Sequence, residues 1–204
     1  MKTERYVEQV ETWPPNGRHI LAQYDKESIV VYQAYRPEIG LFAAQNGHFG
    51  GAFSYNRMSW IKPNFLWMMY RSGWGAKEGQ EVILAVRLSR TFFDDCLEKA
   101  VPSSFDSTRF ESRTAWADAV QNSEVRLQWD PDHDPVGNKQ ERRAIQLGLR
   151  GEMLRRYGQE CLSITDISTF VQSQRPNATP PYTHLLTPKE AVYLPQSPAA
   201  WMDL

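Results

Sequence analysis

Apolar and β-branched residues gather in short runs along the chain, and these runs predict strands. The clearest run is SIVVYQAY at residues 28–35, which has charged residues before it and Pro37 after it. Such residues favour an extended backbone, so we expect a buried strand there. The same pattern predicts strands at residues 58–61, 81–89 and 124–130, with a short one ending at Ser54. The pattern is completed by residues 142–149, a helix near 151–158, and residues 161–168.

Helical periodicity appears between these strands. Residues 38–47 place apolar side chains on one face and end at Asn46-Gly47. A glycine in that position suits a left-handed C-cap, so a helix is expected to stop there. A second helix is expected over residues 92–100, with Thr91 as its cap.

The stretch RMSWIKPNFLWMMYRSGWG at residues 57–75 crowds aromatic and cationic residues together. A helix is expected to begin at Pro63, run to about Ser72 and stop at Gly73, because proline is tolerated at the first helical position. Its apolar residues lie all round, which predicts burial on most faces. Aromatic rings stack on planar ligands and cations meet phosphates, so the flanking side chains are expected to edge a cleft. They are Arg57, Trp60, Lys62 and Arg71.

The order of these elements indicates the fold class. Strands and helices do not alternate regularly, and neither GxxxxGK[ST] nor GxGxxG after a strand occurs. The pattern therefore predicts an α+β domain with a mainly antiparallel, bent or split sheet and packed helices.

The length of 204 residues fits one domain, which we place at residues 1–172. Prolines recur after that point, and residues 173–204 are expected to form an irregular tail that either wraps over the domain or is partly disordered. Cys96 and Cys161 lack a metal-binding or disulfide pattern and are expected to be reduced thiols.

Charge and hydropathy limit the classes of partner. The net charge of -1 gives no overall attraction to nucleic acid or to anionic lipid. The chain has no apolar run of membrane-spanning length and no signal-peptide core near its start. We therefore expect a cytoplasmic protein that does not enter a membrane.

Three further motifs each allow two interpretations. Arg36, between Tyr35 and Pro37, offers a bidentate fork for phosphate or makes a surface salt bridge. WDPDHDP at residues 129–135 presents carboxylates to a cation or forms a loop of Asx turns. The arginines of residues 141–156 form a basic surface for a phosphate-rich partner or an ordinary solvated face.

Several blocks resemble the uncharacterised family catalogued as domain of unknown function 4291. They are AYRPEIG, RMSWIKPNFLWMMYRSGWG, GQEVILAVRLSR, VRLQWDPDHDP and RAIQLGLRG. The resemblance covers most of residues 28–172, and the block from Trp60 to Trp74 is long and specific. It implies a family but no activity.

A more distant resemblance is to the ADP-ribosyltransferase superfamily, including the RNA 2'-phosphotransferases. Tyr35-Arg36, the helix to Gly47 and FSYNRMSWI follow the element order of that fold, and residues 144–168 are similar to its closing strand, loop and strand. This resemblance implies NAD as the cofactor, with no metal.

The same resemblance implies roles for individual residues. Arg36 would clamp the pyrophosphate, and Tyr55 or Trp60 would stack on the nicotinamide. Gln146 stands where many transferases have an acidic residue, and Glu81 would replace that acid only if the fold brings it to the cleft. The residues assigned to cofactor binding are Arg36, Ser54, Tyr55, Arg57, Trp60, Lys62 and Arg71, and those assigned to catalysis are Arg36, Gln146 and Glu81.

Two functions remain open from the sequence. The first is an NAD-dependent ADP-ribosyl- or phosphate-directed transferase that acts on RNA, DNA or another phosphate-rich acceptor. The second is a non-catalytic module that binds a nucleotide or single-stranded RNA by stacking and charge.

Overall fold

In the computed structural model, which describes residues 1–196, the strands pair into two main sheets and two small ribbons. The strands are β1 Thr3–Arg5, β2 Gly17–Arg18, β3 Leu21–Ala22, β4 Ser28–Tyr35, β5 Ser59–Ile61, β6 Val82–Ser89, β7 Ala100–Pro102, β8 Val125–His133, β9 Lys139–Leu149, β10 Ser163–Asp166, β11 Leu186–Pro188 and β12 Ala191–Val192. The helices are α1 Tyr6–Val10, α2 Pro37–Asn46, α3 Phe65–Ser72, α4 Arg90–Glu98, α5 Arg113–Asn122, α6 Gly151–Glu160 and α7 Ser168–Gln174, with a 3₁₀ helix at Arg175–Asn177. This mixture confirms the predicted α+β class.

The first main sheet has three antiparallel strands in the order β10-β6-β4. Strand β4 spans the predicted residues 28–35. Its side chains alternate between two buried clusters, because Ile29 and Val31 face one cluster while Val30 and Tyr32 face the other. Packing on both faces explains why this strand is a continuous apolar run rather than an alternating one.

The second main sheet has the order β2-β9-β8-β7, and β5 also pairs with β9. Its centre is the antiparallel hairpin β8–β9, in which Leu127 lies opposite Leu147 and Gln128 lies opposite Gln146. Strand β5 adds antiparallel pairs on the other side of β9, and Ile61 also lies opposite Leu147. Strands β2 and β7 are parallel to their neighbours.

A backbone bridge joins the two main sheets. The Tyr32 amide of β4 donates to the Lys62 carbonyl at 2.6 Å, and the Lys62 amide donates to the Tyr32 carbonyl at 3.3 Å. Lys62 directly follows β5, so this bridge ties the end of β5 to the middle of β4. The strands therefore form a split sheet, which is one of the two arrangements expected from the sequence.

Helices α2 and α3 end as predicted, at left-handed glycines. Gly47 (φ 71°) follows α2, and Gly73 (φ 60°) follows α3. The expected start of α3 at Pro63 was wrong, because Asn64 is the N-cap and its side chain accepts from the Trp67 amide at 2.6 Å. The residues of α3 are mainly buried, which confirms the expectation of an all-round apolar helix.

Two local predictions were wrong. Helix α4 is capped by Ser89, whose hydroxyl accepts from the Phe92 amide at 3.1 Å, and Thr91 lies inside the helix. The expected short strand ending at Ser54 is a turn, in which the Phe53 amide donates to the Gly50 carbonyl at 3.0 Å. Turn formation prevailed over strand pairing in this glycine-rich segment.

The proline-rich segment packs on the N-terminal part of the chain. Strand β11 pairs with β1, and β12 pairs with β3. The buried Glu190 carboxylate, between these two strands, accepts from the Phe65 amide at 2.7 Å and so reaches the first turn of α3. Residues 197–204 of the expected tail lie outside the described residues.

Cys96 is buried, Cys161 is partly buried, and both are free thiols. Within residues 1–196, no helix combines the length and the apolar character needed to cross a membrane.

The tip of the β8–β9 hairpin docks on α3 through a histidine. The His133 ring stacks on Tyr70 with centroids 3.5 Å apart, and it meets the Trp67 ring in a T-shaped arrangement with centroids 6.3 Å apart. Neither His133 ring nitrogen has a hydrogen-bond partner among the described residues. Burial lowers the pKa of His133, and the nearby Asp132 carboxylate opposes that shift.

This environment predicts acid sensitivity at the hairpin contact. Because the folded state disfavours protonated His133, stability should be lost as the pH falls through the ordinary histidine pKa of about 6.5. His133→Phe keeps a stacked ring without the titration. Acidification from pH 7.5 to pH 5.5 should lower the melting temperature of both proteins. The decrease in His133→Phe should be smaller than that in the wild type by roughly 2–4 °C. His184→Phe is the exposed control, and equal losses of melting temperature in His133→Phe and wild type would contradict the prediction.

Candidate functional site

A cleft of two lobes opens where β4, β5, α3 and the β8–β9 hairpin come together. The main lobe has a volume of about 570 Å³ and the second lobe about 350 Å³. The lobes adjoin, since both are lined by Tyr35, Arg57, Met58 and Ser59. The remaining main-lobe lining is Gln33, Ala34, Trp60, Lys62, Trp67, Met68, Arg71, Gln80, Gln128 and Gln146, and the remaining second-lobe lining is Arg36, Ile39, Ala52, Phe53, Ser54 and Gly79.

The cleft is positively charged. Arg57, Lys62 and Arg71 line the main lobe, and Arg36 lines the second lobe. Among the described residues, no aspartate or glutamate lines either lobe, and neither Arg57 nor Arg71 forms an ion pair within 4.0 Å. Arg36 pairs with Glu38 at 3.3 Å on an exposed surface, where solvent weakens the interaction. The arrangement favours an anionic ligand.

Lys62 is the buried member of this set, with 5% of its surface exposed. Its Nζ lies 3.5 Å from the Trp60 carbonyl oxygen and 5.2 Å from the centre of the Trp67 ring. Burial, assisted by the charge of Arg71 and opposed by that of Asp130, lowers the pKa of Lys62 to about 8. An amine with this pKa changes its charge within the physiological range more readily than an exposed lysine does.

Two glutamines on the main-lobe wall are held by one carboxylate. Gln128 and Gln146 face each other across β8 and β9, and their side-chain amides donate to Asp130 at 2.8 and 2.6 Å. An ionised carboxylate only accepts hydrogen bonds, so each glutamine must turn its NH₂ group toward Asp130. Their carbonyl oxygens are thereby left to accept hydrogen bonds from a ligand.

A second polar network lies between the lobes. The Gln33 amide donates to the Ser59 hydroxyl at 2.8 Å and accepts from the Tyr157 hydroxyl at 2.6 Å. The hydroxyls of Tyr35 and Ser59 are also 2.8 Å apart. Burial raises the pKa of Tyr35 above its ordinary value, so its phenol stays protonated and available for hydrogen bonding. This network fixes polar groups without adding negative charge.

Two indoles supply apolar surface to the main lobe. Trp60 lies against Gly148, where an added Cβ would come 3.0 Å from the indole ring. Trp67 is 7% exposed and lies beneath Lys62. A glycine opposite Trp60 therefore allows strand β9 to approach the indole closely.

Most of the residues singled out from the sequence line the cleft. Arg57, Trp60, Lys62, Arg71 and Gln146 line the main lobe, while Arg36 and Ser54 line the second.

Two of the singled-out residues are outside the cleft lining. The Tyr55 hydroxyl donates to the Phe49 carbonyl at 2.7 Å, and its ring packs on Gly158. Glu81 accepts from the Gly79 amide at 2.8 Å, so it lies next to the cleft but supplies no carboxylate to its wall.

Sequence reasoning missed Gln33, Ser59 and Gln128, and it considered Asp130 only as a possible ligand of a cation. The only signal for Gln128 was its place in the alternating strand 124–130, which predicts a face but not its partner.

The arginines of residues 141–156 do not form one basic surface. Arg142 forms a buried pair with Asp132 at 2.7 Å, and Arg156 pairs with Asp95 at 2.7 Å. Arg150 donates to the Ser123 carbonyl at 2.8 Å, while Arg155 approaches Glu152 at 4.0 Å.

The carboxylates of WDPDHDP also have separate partners. Asp130 accepts from the two glutamines, Asp132 pairs with Arg142, and Asp134 accepts from Asn138. Over residues 1–196, no group of three or more His, Cys, Asp or Glu side chains is arranged to hold a metal ion.

Comparison with known proteins relates the chain to a family. The family model described as Domain of unknown function (DUF4291) matches residues 19–193. No curated protein matches the chain.

The buried amine predicts a stability cost. Because the folded pKa of Lys62 is about 8 and the ordinary value is 10.5, the folded state binds this proton less tightly than the unfolded state. Stability should therefore be reduced at neutral pH and should rise between about pH 8 and pH 10. Lys62→Met should unfold in urea with a free energy higher by roughly 2–3 kcal/mol at pH 7. The unfolding free energy of the variant should also no longer increase between about pH 8 and pH 10.

Lys26→Met is the matched control at an exposed position. The prediction would be contradicted if Lys62→Met had an unchanged or lower unfolding free energy at pH 7 and still gained stability between about pH 8 and pH 10. The charge of the amine would then be stabilised by other groups in the folded state.

Proposed function

This chain belongs to the family Domain of unknown function (DUF4291), and we propose that it binds a nucleotide with two phosphates, such as NAD, in the two-lobed cleft. The observation that carries this proposal is the set of Arg57, Lys62 and Arg71 around a lobe with no carboxylate in its described lining. Unpaired cations at one concave site repel each other, and a bound phosphate removes that cost.

The size and lining of the cleft support a nucleotide rather than a simple inorganic ion. Its lobes of about 570 and 350 Å³ lie in the range of small-molecule sites. Trp60 supplies a flat apolar surface on which a base or a nicotinamide can stack. The amide oxygens of Gln128 and Gln146 can accept hydrogen bonds from ribose hydroxyls.

We propose that the bound nucleotide is NAD and that the protein transfers its ADP-ribosyl group to a phosphate of a nucleic acid or another phosphate-rich molecule. A phosphate oxygen would attack the ribose carbon, and nicotinamide would leave with the electrons of the broken bond. A phosphate is already ionised at neutral pH, so it needs no protein base. This choice of acceptor suits a cleft with no carboxylate in its described lining.

In this proposal Arg57 and Arg71 hold the pyrophosphate in the main lobe. Gln146 positions the ribose, while Arg36 and Ser54 contact the part of the ligand or acceptor that occupies the second lobe. Fixing the two reactants side by side would supply much of the rate enhancement.

A non-catalytic module for nucleotides or single-stranded RNA is the second candidate. The same absence of a lining carboxylate favours it, since no described residue of the cleft wall offers a carboxylate as a general base. Stacking on Trp60 and charge from the arginines would suffice for binding.

Thermal unfolding with NAD, ADP-ribose or a short RNA tests the binding proposal, because a ligand of the native state raises the melting temperature. NAD and ADP-ribose should raise it in the wild type. Arg57→Gln and Arg71→Gln should each weaken binding by roughly 10- to 100-fold, since each removes a charge-assisted contact. Arg143→Gln, an exposed change outside the cleft, should bind like wild type.

Nicotinamide release separates the two candidates. The transferase should release nicotinamide from NAD when a 5'-phosphorylated RNA is added, and Gln146→Leu should slow that release. NAD binding without release under these conditions would favour the non-catalytic module. If only RNA raised the melting temperature, RNA would replace NAD as the ligand. If no ligand raised it, the proposed function would be overturned.

A further inference from the structure

The buried amine of Lys62 forms the floor of the main lobe, and its charge depends on its surroundings. The groups around the Lys62 amine come from three elements: the Trp60 carbonyl of β5, the Trp67 ring and Arg71 of α3, and Asp130 of β8. Asp130 does not approach Nζ within ion-pair distance, because both its carboxylate oxygens face the glutamine amides. The amine therefore has one weak neutral acceptor and a nearby positive charge.

This geometry makes the proton on Lys62 easy to lose. Removal from water disfavours the ammonium form, and Arg71 adds repulsion, so the pKa of Lys62 falls to about 8. An anion placed beside Nζ has the opposite effect, since it stabilises the ammonium form through a charge-assisted hydrogen bond. Binding of an anion and binding of the proton must then strengthen each other equally.

We propose that Lys62 is the phosphate-binding floor of the main lobe, and that in alkaline solution, where the amine of the free protein is mostly neutral, the cleft takes up a proton at Lys62 when a phosphate group enters. Arg57 and Arg71 bear permanent charges at the exposed rim, so they attract the ligand at any pH. In alkaline solution, by contrast, Lys62 adds its charge when the phosphate arrives. The inference rests on the proposed function for the nucleotide, but it concerns the anionic group alone.

Phosphate fits this floor better than a carboxylate does. Two guanidinium groups and one amine line this lobe, and together they present more hydrogen-bond donors than two carboxylate oxygens can accept. A free phosphate and the pyrophosphate of a nucleotide share this chemistry, so the two are distinguished by experiment.

Titration calorimetry with inorganic phosphate and with ADP-ribose measures the coupled proton directly. At pH 9, the heat of binding is recorded in buffers of different ionisation enthalpy. The dependence on the buffer should show uptake of close to one proton per ligand, since Lys62 is then mostly neutral in the free protein. Between about pH 8 and pH 10 the affinity should fall about tenfold per pH unit.

Two variants assign the proton to Lys62. Lys62→Met should bind weakly at pH 7.5, take up no proton and show little change of affinity between pH 8 and pH 10. Lys62→Arg keeps its charge throughout this range, so it should retain affinity at pH 9 without proton uptake. Either variant suffices if the other fails to fold. Lys26→Met, exposed and outside the cleft, should match the wild type.

The outcomes distinguish this inference from the proposed function. Proton uptake that depends on Lys62 and occurs with phosphate, without any binding of ADP-ribose, would support the inferred role of Lys62. It would overturn the nucleotide proposal. ADP-ribose could instead bind without proton uptake, or with equal uptake in Lys62→Met. Either result would overturn the inferred role of Lys62 and leave the nucleotide proposal standing. Failure of both probes to bind at pH 7.5 would overturn both.

Discussion

Two backbone hydrogen bonds between Tyr32 and Lys62 join the two main sheets, and the geometry of the cleft depends on them. They fix the end of β5 against β4, so the residues before and after Lys62 can face the space between the sheets. The buried Tyr32 ring also packs edge-on against Phe65 at the start of α3, with centroids 5.4 Å apart. One junction thus positions a strand, a helix and the buried amine. A change that broke it would alter the fold and the candidate site together.

Helix α3 is held firmly enough to keep cations close to each other. Its first turn is fixed by the side chain of Asn64, which is its N-cap, and by the carboxylate of Glu190 in the proline-rich segment. Its buried apolar residues pack against β4 and β6. This packing offsets the repulsion between Lys62 and Arg71, which no described carboxylate of the cleft lining relieves. The uncompensated charge is therefore a property of the site that the rest of the fold tolerates, and such conflicts are typical of functional regions.

Carboxylates of one short motif serve different purposes because strand geometry separates them. Asp130 orients Gln128 and Gln146 at the cleft wall. Asp132 instead neutralises the buried Arg142, and an irregularity between Pro131 and His133 separates the two environments. The first carboxylate orients polar groups at the cleft wall, whereas the second satisfies a charge inside the protein. Spacing along the chain gave no means of telling these roles apart.

The sequence by itself determined the α+β class, strand β4 and the left-handed ends of α2 and α3, because these follow from local backbone preference and apolar runs. It also indicated Arg57, Trp60, Lys62 and Arg71 as neighbours, since all four lie in one segment. Only the tertiary structure decided that Gln128 meets Gln146, that Glu81 and Tyr55 lie outside the cleft lining, and that most arginines of residues 141–156 have internal partners. Those outcomes depend on strand register and on contacts between distant segments. A local pattern selects the face that a side chain occupies, but the partner across that face is chosen by the packing of the whole chain.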